Sequence, residues 1–123
     1  MPKHILLIDD EDDIREVATV SLEIVAGWRV SSAKSGAAGL ELAKRSRPDA
    51  ILLDVMMPKQ DGPDTLRALR GDEATATIPV IFLTAKVEPS EHERLRMIGA
   101  AGILAKPFNP MTLANQVSIL LGW

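Results

Sequence analysis

The sequence predicts an α/β fold, a single doubly wound domain in which five parallel strands are flanked by five helices. Short apolar runs without polar alternation recur along the chain, and each is followed by a segment whose apolar residues have helical spacing. Such strands are buried on both faces, which is typical of a parallel sheet covered by helices. Right-handed crossovers restrict the topology to a doubly wound sheet. The 123 residues fit one domain, predicted to span 1–123.

The first strand and helix are predicted from the amino-terminal part of the chain. Residues 5–8 (ILLI) are entirely apolar and end at acids, which favours a buried strand. The acids within residues 10–13 suit the first turn of a helix, because they complement its dipole, and Gly27 is the predicted stop. The residues of this helix predicted to face inward are Ile14, Val17, Ala18, Ser21, Leu22 and Val25.

The second and third units each predict a strand and a helix. A short strand is predicted at residues 28–30, and Ser35 opens a helix that ends before Pro48. The third strand is predicted at residues 50–53, and Pro63, near the first helical position, starts the third helix. The residues predicted to face inward are Ala37, Leu40 and Ala43 in the second helix and Leu66 and Leu69 in the third.

The last two units complete the pattern. Residues 78–83 are rich in β-branched and apolar residues and predict the fourth strand. Pro89 opens the fourth helix and Gly99 closes it, residues 102–105 predict the fifth strand, and the last helix starts near Pro110. The residues predicted to face inward are Leu95 and Ile98 in the fourth helix and Leu113, Val117, Leu120 and Leu121 in the fifth.

Composition and charge exclude several classes of protein. The chain has no cysteine, so a disulfide framework and a thiolate metal site are both excluded. The formal net charge of -3 gives no general attraction to nucleic acid or to an anionic membrane, and no direct nucleic-acid partner is expected. No apolar run approaches the roughly 20 residues of a membrane span, and no signal peptide pattern precedes the first strand. We therefore expect a cytoplasmic protein without membrane insertion.

Polar residues end four of the predicted strands. Asp9 and Asp10 follow the first strand, Asp54 the third, Thr84 the fourth and Lys106 the fifth. Because the carboxyl ends of parallel strands lie at one edge of the sheet, where ligands bind, we expect these side chains to converge.

The chemistry of this set favours a metal and a phosphoryl group. Clustered carboxylates repel one another, and oxygen ligands suit Mg²⁺, with Mn²⁺ as an alternative. The cation and Lys106 would neutralise phosphoryl oxygens, and Thr84 would donate a hydrogen bond. A carboxylate can itself act as the nucleophile and form an aspartyl phosphate. Asp54, alone at a central strand end, is the predicted nucleophile, and Asp9 and Asp10 are the predicted metal ligands.

Four motifs carry a resemblance to a known family. They are LLIDDE (6–11), RPDAILLDVMMPKQDG (47–62), PVIFLTA (79–85) and GILAKPF (102–108). In this order and spacing they are highly specific. The sequence resembles a response-regulator receiver domain of two-component signalling, of the stand-alone chemotaxis-regulator type, over nearly its whole length. The resemblance implies a flavodoxin-like fold with strand order 2-1-3-4-5.

The resemblance also implies a role for each site residue. Asp54 would be the phosphoacceptor. Asp10 and Asp54 would bind Mg²⁺ directly, together with the backbone carbonyl of Met56, and Asp9 would help through water. The side chains implied to contact the phosphoryl group are those of Thr84 and Lys106.

One position departs from the family pattern. Ile103 stands three residues before Lys106, where the family usually has a tyrosine or phenylalanine whose ring rotates on switching. An isoleucine has neither a ring nor a hydroxyl, so it cannot provide the usual aromatic coupling. The Lys106-Pro107 peptide bond is usually cis in the family, a geometry that proline permits.

The implied function is a phosphorylation switch. A sensor histidine kinase or a phosphotransfer protein would donate a phosphoryl group to Asp54 in a Mg²⁺-dependent reaction. The domain would catalyse only this transfer and its own dephosphorylation. A downstream effector protein would then bind the surface of the fourth helix, fifth strand and fifth helix. A monomer or weak dimer is expected.

Three other functions stay open. A small-molecule phosphatase with an aspartate nucleophile usually has a D-x-D motif after the first strand, which Asp9 does not begin. A nucleotide- or flavin-binding module would have a Gly- or Ser/Thr-rich loop there. A pseudo-receiver scaffold that is not phosphorylated is supported by Ile103 alone.

Outside the predicted site, Glu11 and Asp13 are assigned mainly to the helix start.

Overall fold

The computed structural model of the protein describes residues 2–86 and 88–123. Strands and helices alternate along this part of the chain. The strands are β1 (His4–Ile8), β2 (Arg29–Ala33), β3 (Ala50–Asp54), β4 (Val80–Thr84) and β5 (Gly102–Ala105). The helices are α1 (Asp12–Ala26), α2 (Gly36–Ser46), α3 (Gly62–Arg70), α4 (Pro89–Met97) and α5 (Leu113–Leu121). None of the described helices has both the length and the apolar character that crossing a membrane requires.

The strands form one parallel sheet with the order β2-β1-β3-β4-β5. In this register Asp54 lies opposite Leu83, and Thr84 lies opposite Ala105. The carboxyl ends of the three central strands and of β5 therefore stand side by side. The doubly wound fold and the strand order implied by the family resemblance are confirmed.

Burial on both faces of the sheet explains the continuous apolar strands. Every residue of β1, β3 and β4 is buried, and successive side chains point to opposite faces. One core cluster, which includes Ile8 and Phe82, packs against α2, α3 and α4. The other, which includes Leu7 and Leu52, packs against α1 and α5. The sheet is thus fixed between two helical layers.

Three predicted boundaries are wrong by a few residues. β2 starts at Arg29 and continues through two serines to Ala33, because an edge strand with partly exposed side chains tolerates polar residues. β4 starts after Pro79, whose ring nitrogen has no hydrogen to donate. α5 starts at Leu113, because Asn109 accepts a hydrogen bond from the Met111 amide at 2.9 Å and holds the preceding residues in a turn.

Some residues predicted to face inward are exposed. In α1, Val17 and Val25 are 43% and 47% exposed. In α2, Ala37 is exposed, whereas Gly36 and Gly39 are buried. A Cβ atom at position 39 would lie 2.7 Å from Cγ1 of Ile8, so the absence of a side chain lets α2 approach the sheet.

Candidate functional site

The carboxyl edge of the sheet brings the predicted site residues together. Asp9 follows β1, Asp54 and Thr84 are the last residues of β3 and β4, and Lys106 follows β5. The Lys106 Nζ atom lies 2.8 Å from Oδ2 of Asp9 and 3.2 Å from Oδ1 of Asp54. Side chains from three strands, far apart in the sequence, therefore share one site, whereas their individual roles stay predictions.

Four carboxyl groups cluster at this site. One carboxylate oxygen from each of Asp9, Asp10, Glu11 and Asp54 lies within 4.8 Å of the others. Asp9 and Asp54 are buried, whereas Asp10 and Glu11 are exposed. Among the described residues, one ammonium, that of Lys106, pairs with members of this cluster, namely Asp9, Glu11 and Asp54. The imbalance favours binding of a divalent cation.

Glu11 belongs to this cluster as well as to the helix start. It is the N-cap residue of α1, and its Oε1 atom lies 3.4 Å from Nζ of Lys106. The sequence pattern assigns Glu11 mainly to the helix start, because acids there complement the helix dipole. Its position directly after Asp9 and Asp10 was the available signal.

Asp9 is held by backbone hydrogen bonds, and its second carboxylate oxygen faces the Lys106 ammonium. Its amide donates to the Ala33 carbonyl at 3.1 Å, and its Oδ1 accepts from the Glu11 amide at 2.9 Å. Oδ2 is buried and pairs with the Lys106 ammonium at 2.8 Å, without a hydrogen bond from any other described residue. A buried carboxylate oxygen that relies on one shared ammonium, within an all-oxygen donor set, fits a hard cation such as Mg²⁺.

Asp54 is a buried carboxylate with a perturbed pKa. Its Oδ1 accepts a hydrogen bond from the Met56 amide at 3.3 Å and pairs with Lys106. The pKa of Asp54 is raised to about 6, mainly by burial and then by the charge of Asp9, whereas Lys106 and the Met56 amide oppose the shift. Asp54 is therefore ionised at neutral pH, at a cost that a bound cation would relieve.

Lys106 stays charged despite its burial. Its side chain is 10% exposed. Burial by itself lowers the pKa of Lys106, but contact with Asp9 and the negative charges of Asp54 and Asp9 outweigh it, so the pKa lies above the usual value. Lys106 is thus a fixed positive charge beside the oxygens of Asp54.

Thr84 ends β4, and Ile103 lies within β5. The Thr84 hydroxyl oxygen accepts a hydrogen bond from the Lys86 amide at 3.0 Å, and the residue is 1% exposed. Ile103 is partly buried against the core cluster that contains Phe82. The Lys106-Pro107 peptide bond is cis, as the resemblance implied.

An apolar groove lies between α1 and the turn before α5. It has a volume of about 350 Å³ and is lined mainly by Val17, Val20, Ile24, Val25, Pro110 and Met111. One wall is α1, which begins three residues after Asp9, and the other includes Pro110, four residues after Lys106. Ile24 and Met111 are 79% and 73% exposed.

Comparison with known proteins assigns the family. The sequence matches the response regulator receiver domain over residues 5–118. The chain belongs to this family. The chain is 40% identical over 121 residues to the DNA-binding dual master transcriptional regulator RpaA of Synechocystis. The aligned region covers 98% of this chain and 49% of that protein. The chain thus spans about half the length of the curated relatives it matches.

Solved structures of receiver domains share the fold. The chemotaxis response regulator CheY4 of Vibrio cholerae is 32% identical with a TM-score of 0.91, over 98% of this chain and 99% of that one. The receiver domain of the sensor histidine kinase PA1611 from Pseudomonas aeruginosa PAO1 is 31% identical with a TM-score of 0.86, over the whole of both chains. That structure has a magnesium ion coordinated in its active-site cleft. The family predicted from the four motifs is confirmed.

Proposed function

We propose that the receiver domain is a phosphorylation switch whose phosphoacceptor is Asp54. A sensor histidine kinase or a phosphotransfer protein is the proposed donor. The observation that carries the proposal is the buried Asp54 carboxylate, held between the Lys106 ammonium and the Met56 amide at the edge of the sheet. Family membership supports this reading over a small-molecule phosphatase or a nucleotide- or flavin-binding module.

The contacts of Asp54 indicate which oxygen would react. Both Lys106 and the Met56 amide contact Oδ1, and no hydrogen bond from the described residues reaches Oδ2. Oδ2 would attack the phosphorus of a phosphohistidine. A P–O bond forms, the P–N bond breaks, and the imidazole nitrogen keeps the electron pair. Lys106 would neutralise charge on the phosphoryl oxygens, and Thr84 would donate a hydrogen bond to one of them.

A divalent cation would support this transfer. The carboxylates of Asp10 and Asp54 and the backbone carbonyl of Met56 would hold Mg²⁺ directly, and Asp9 would contribute through water. When bound, the cation supplies positive charge to the phosphoryl oxygens. Mn²⁺ is an alternative, because the ligands are all oxygens.

The apolar groove is the proposed docking site for a helix of the phosphodonor protein. Because α1 starts three residues after Asp9 and Pro110 lies four residues after Lys106, a helix seated in the groove would direct a phosphohistidine at its site end towards Asp54. Asp12, Asp13 and Glu16 surround the site end of α1 with negative charge. A donor helix with an apolar stripe and basic flanks would complement this surface.

The effector is proposed to bind the surface of α4, β5 and α5. Leu95 is the one buried residue among the nine of α4. A helix with so few buried contacts belongs to the less stable parts of a fold, which suits a surface that changes on phosphorylation. The effector, a monomeric or weakly dimeric state and a cytoplasmic location stay predictions.

Acetyl phosphate tests the chemistry directly. The protein is incubated with acetyl phosphate and Mg²⁺, and its intact mass is measured. We expect the gain of one phosphoryl group, which EDTA and Asp54→Asn both abolish. Asp13→Asn removes a similar charge from the first turn of α1 and should leave the gain intact. Absence of a Mg²⁺-dependent gain would favour the pseudo-receiver instead.

The docking proposal has its own experiment. Ile24→Glu places a charge in the groove, and Met97→Glu places one at a residue of α4 that is 78% exposed. Ile24→Glu should slow phosphoryl transfer from the cognate histidine kinase and leave transfer from acetyl phosphate unchanged. Met97→Glu should affect neither. Equal rates of kinase-dependent transfer in wild type and Ile24→Glu would rule the groove out.

A further inference from the structure

Arg15 is the single cation in a strongly acidic segment. Residues 9–16 contain six acids and one arginine. Arg15 lies near the amino-terminal end of α1, where the helix dipole disfavours a positive charge. Its side chain is nevertheless only 17% exposed. An arginine kept at such a position indicates a specific contact.

The guanidinium of Arg15 joins α1 to the residue that ends β1. Its Nη1 donates to the backbone carbonyl of Asp9 at 2.8 Å. Its Nη2 pairs with the Asp12 carboxylate. Arg15 therefore bridges the two ends of the short loop that carries Asp10 and Glu11.

The contact with the Asp9 carbonyl restrains the backbone at Asp10. That carbonyl belongs to the planar peptide unit between Asp9 and Asp10, so holding it restricts the position of the Asp10 Cα atom. Asp10 is exposed, and no described residue donates a hydrogen bond to its carboxylate. No side-chain contact among the described residues orients this carboxylate, so its placement depends on the backbone that carries it.

We propose that Arg15 is a positioning residue that holds the Asp10 carboxylate in place for a divalent cation. The proposal rests on the Mg²⁺ site under Proposed function. It acts through the backbone, with no contact between Arg15 and the cation. Residues that orient metal ligands in this indirect way typically contribute 10–100-fold to metal affinity.

Positioning and simple electrostatics predict opposite signs. If Arg15 acted only through its charge, its removal would relieve repulsion and tighten Mg²⁺ binding a few-fold. If Arg15 positions Asp10, its removal weakens binding. A merely structural role would lower the melting temperature of the metal-free protein and leave the Mg²⁺ dissociation constant of the folded protein unchanged.

The experiment is titration of the whole protein with MgCl₂ by calorimetry, with melting temperatures measured in EDTA. Arg15→Gln is expected to weaken Mg²⁺ binding about tenfold. Arg15→Lys keeps the charge but loses the two-pronged guanidinium, and it is also expected to weaken binding. The control is Arg67→Gln, which removes a matched arginine from an exposed pair with Asp64 on α3 and should leave affinity unchanged.

The outcomes separate this inference from the proposed function. If the wild-type protein binds no Mg²⁺, both fail. If it binds Mg²⁺ and Arg15→Gln binds equally well or more tightly, only the role of Arg15 is overturned. If Arg15→Gln does not fold, Arg15→Lys decides, and wild-type affinity in that variant overturns the inference.

Discussion

Replacing Asp54 with asparagine is expected to stabilise the metal-free receiver domain at neutral pH. The carboxylate is 3% exposed and lies beside Asp9, and these surroundings raise its pKa from 3.8 to about 6. The folded protein therefore holds a proton more tightly than the unfolded chain does. This tighter proton binding stabilises the folded protein fully below pH 3.8, and the stabilisation is lost as the pH rises through 6. Asparagine removes the charge and its cost.

The shift sets the size of the effect. A difference of about two pKa units corresponds to roughly 3 kcal/mol at pH 7. Residual hydration and the burial of the new amide reduce this, so we expect a net gain of about 1–2 kcal/mol, or about 3–8 °C in melting temperature. Lys106 keeps its contacts with Asp9 and Glu11. At pH 5, where Asp54 is largely protonated in the folded protein, the charge effect falls to roughly half.

Urea denaturation in EDTA, followed by circular dichroism, measures the free energy of unfolding of wild type and Asp54→Asn at pH 7 and at pH 5. Asp13→Asn, in the exposed first turn of α1, is the control and should lose at most about 0.5 kcal/mol. Saturating Mg²⁺ should stabilise wild type more than Asp54→Asn. A variant less stable than wild type at both pH values, or a gain that does not change with pH, would refute the reasoning.

Three further changes test contacts outside the acidic cluster. Ser21→Ala removes the hydroxyl that donates a hydrogen bond to the Pro110 carbonyl, between α1 and the turn before α5. Urea denaturation should show that the free energy of unfolding falls by about 1 kcal/mol. The control Ser90→Ala, at an exposed serine, should cause no loss. Gly39→Ala places a Cβ atom against Ile8 and should cost about 1–3 kcal/mol in the same assay, and a gain in stability would contradict the close packing of α2. Burial and then Arg29 lower the pKa of His4 below 6.5, despite Asp49, so stability should be full above pH 6.5 and fall below it. His4→Gln should flatten that part of the pH profile, and an unchanged profile would exclude His4 as a cause.

Much of the fold could be predicted because strand burial is a local property of the sequence. Four of the five strands sit between helical layers or beside a buried neighbour, so their apolar runs are continuous and easily recognised. β2 was placed less well, since Ser31 and Ser32 are tolerated where one edge of the strand has no neighbour. The inward faces of α1 and α2 were also less predictable, because Val17 looks like a core residue and Gly39 does not.

The sequence by itself determined which residues meet at the carboxyl edge of the sheet. Once the strands are parallel, the residue that ends each one has a known position, which places Asp9, Asp54, Thr84 and Lys106 together. The four motifs determined the family for the same reason, since they are the strand ends and the turns that follow them.

The tertiary structure decided how those residues are held. Glu11 joins the acidic cluster because Lys106, 95 positions away, reaches it across the site. Arg15 reaches back over six positions to the carbonyl of Asp9, across the loop between β1 and α1. The apolar groove exists because α1 packs beside the turn at Pro110. The Glu11 contact and the groove depend on distances between elements that are far apart in the chain, and the Arg15 contact depends on the path of a loop; patterns of apolar residues encode neither.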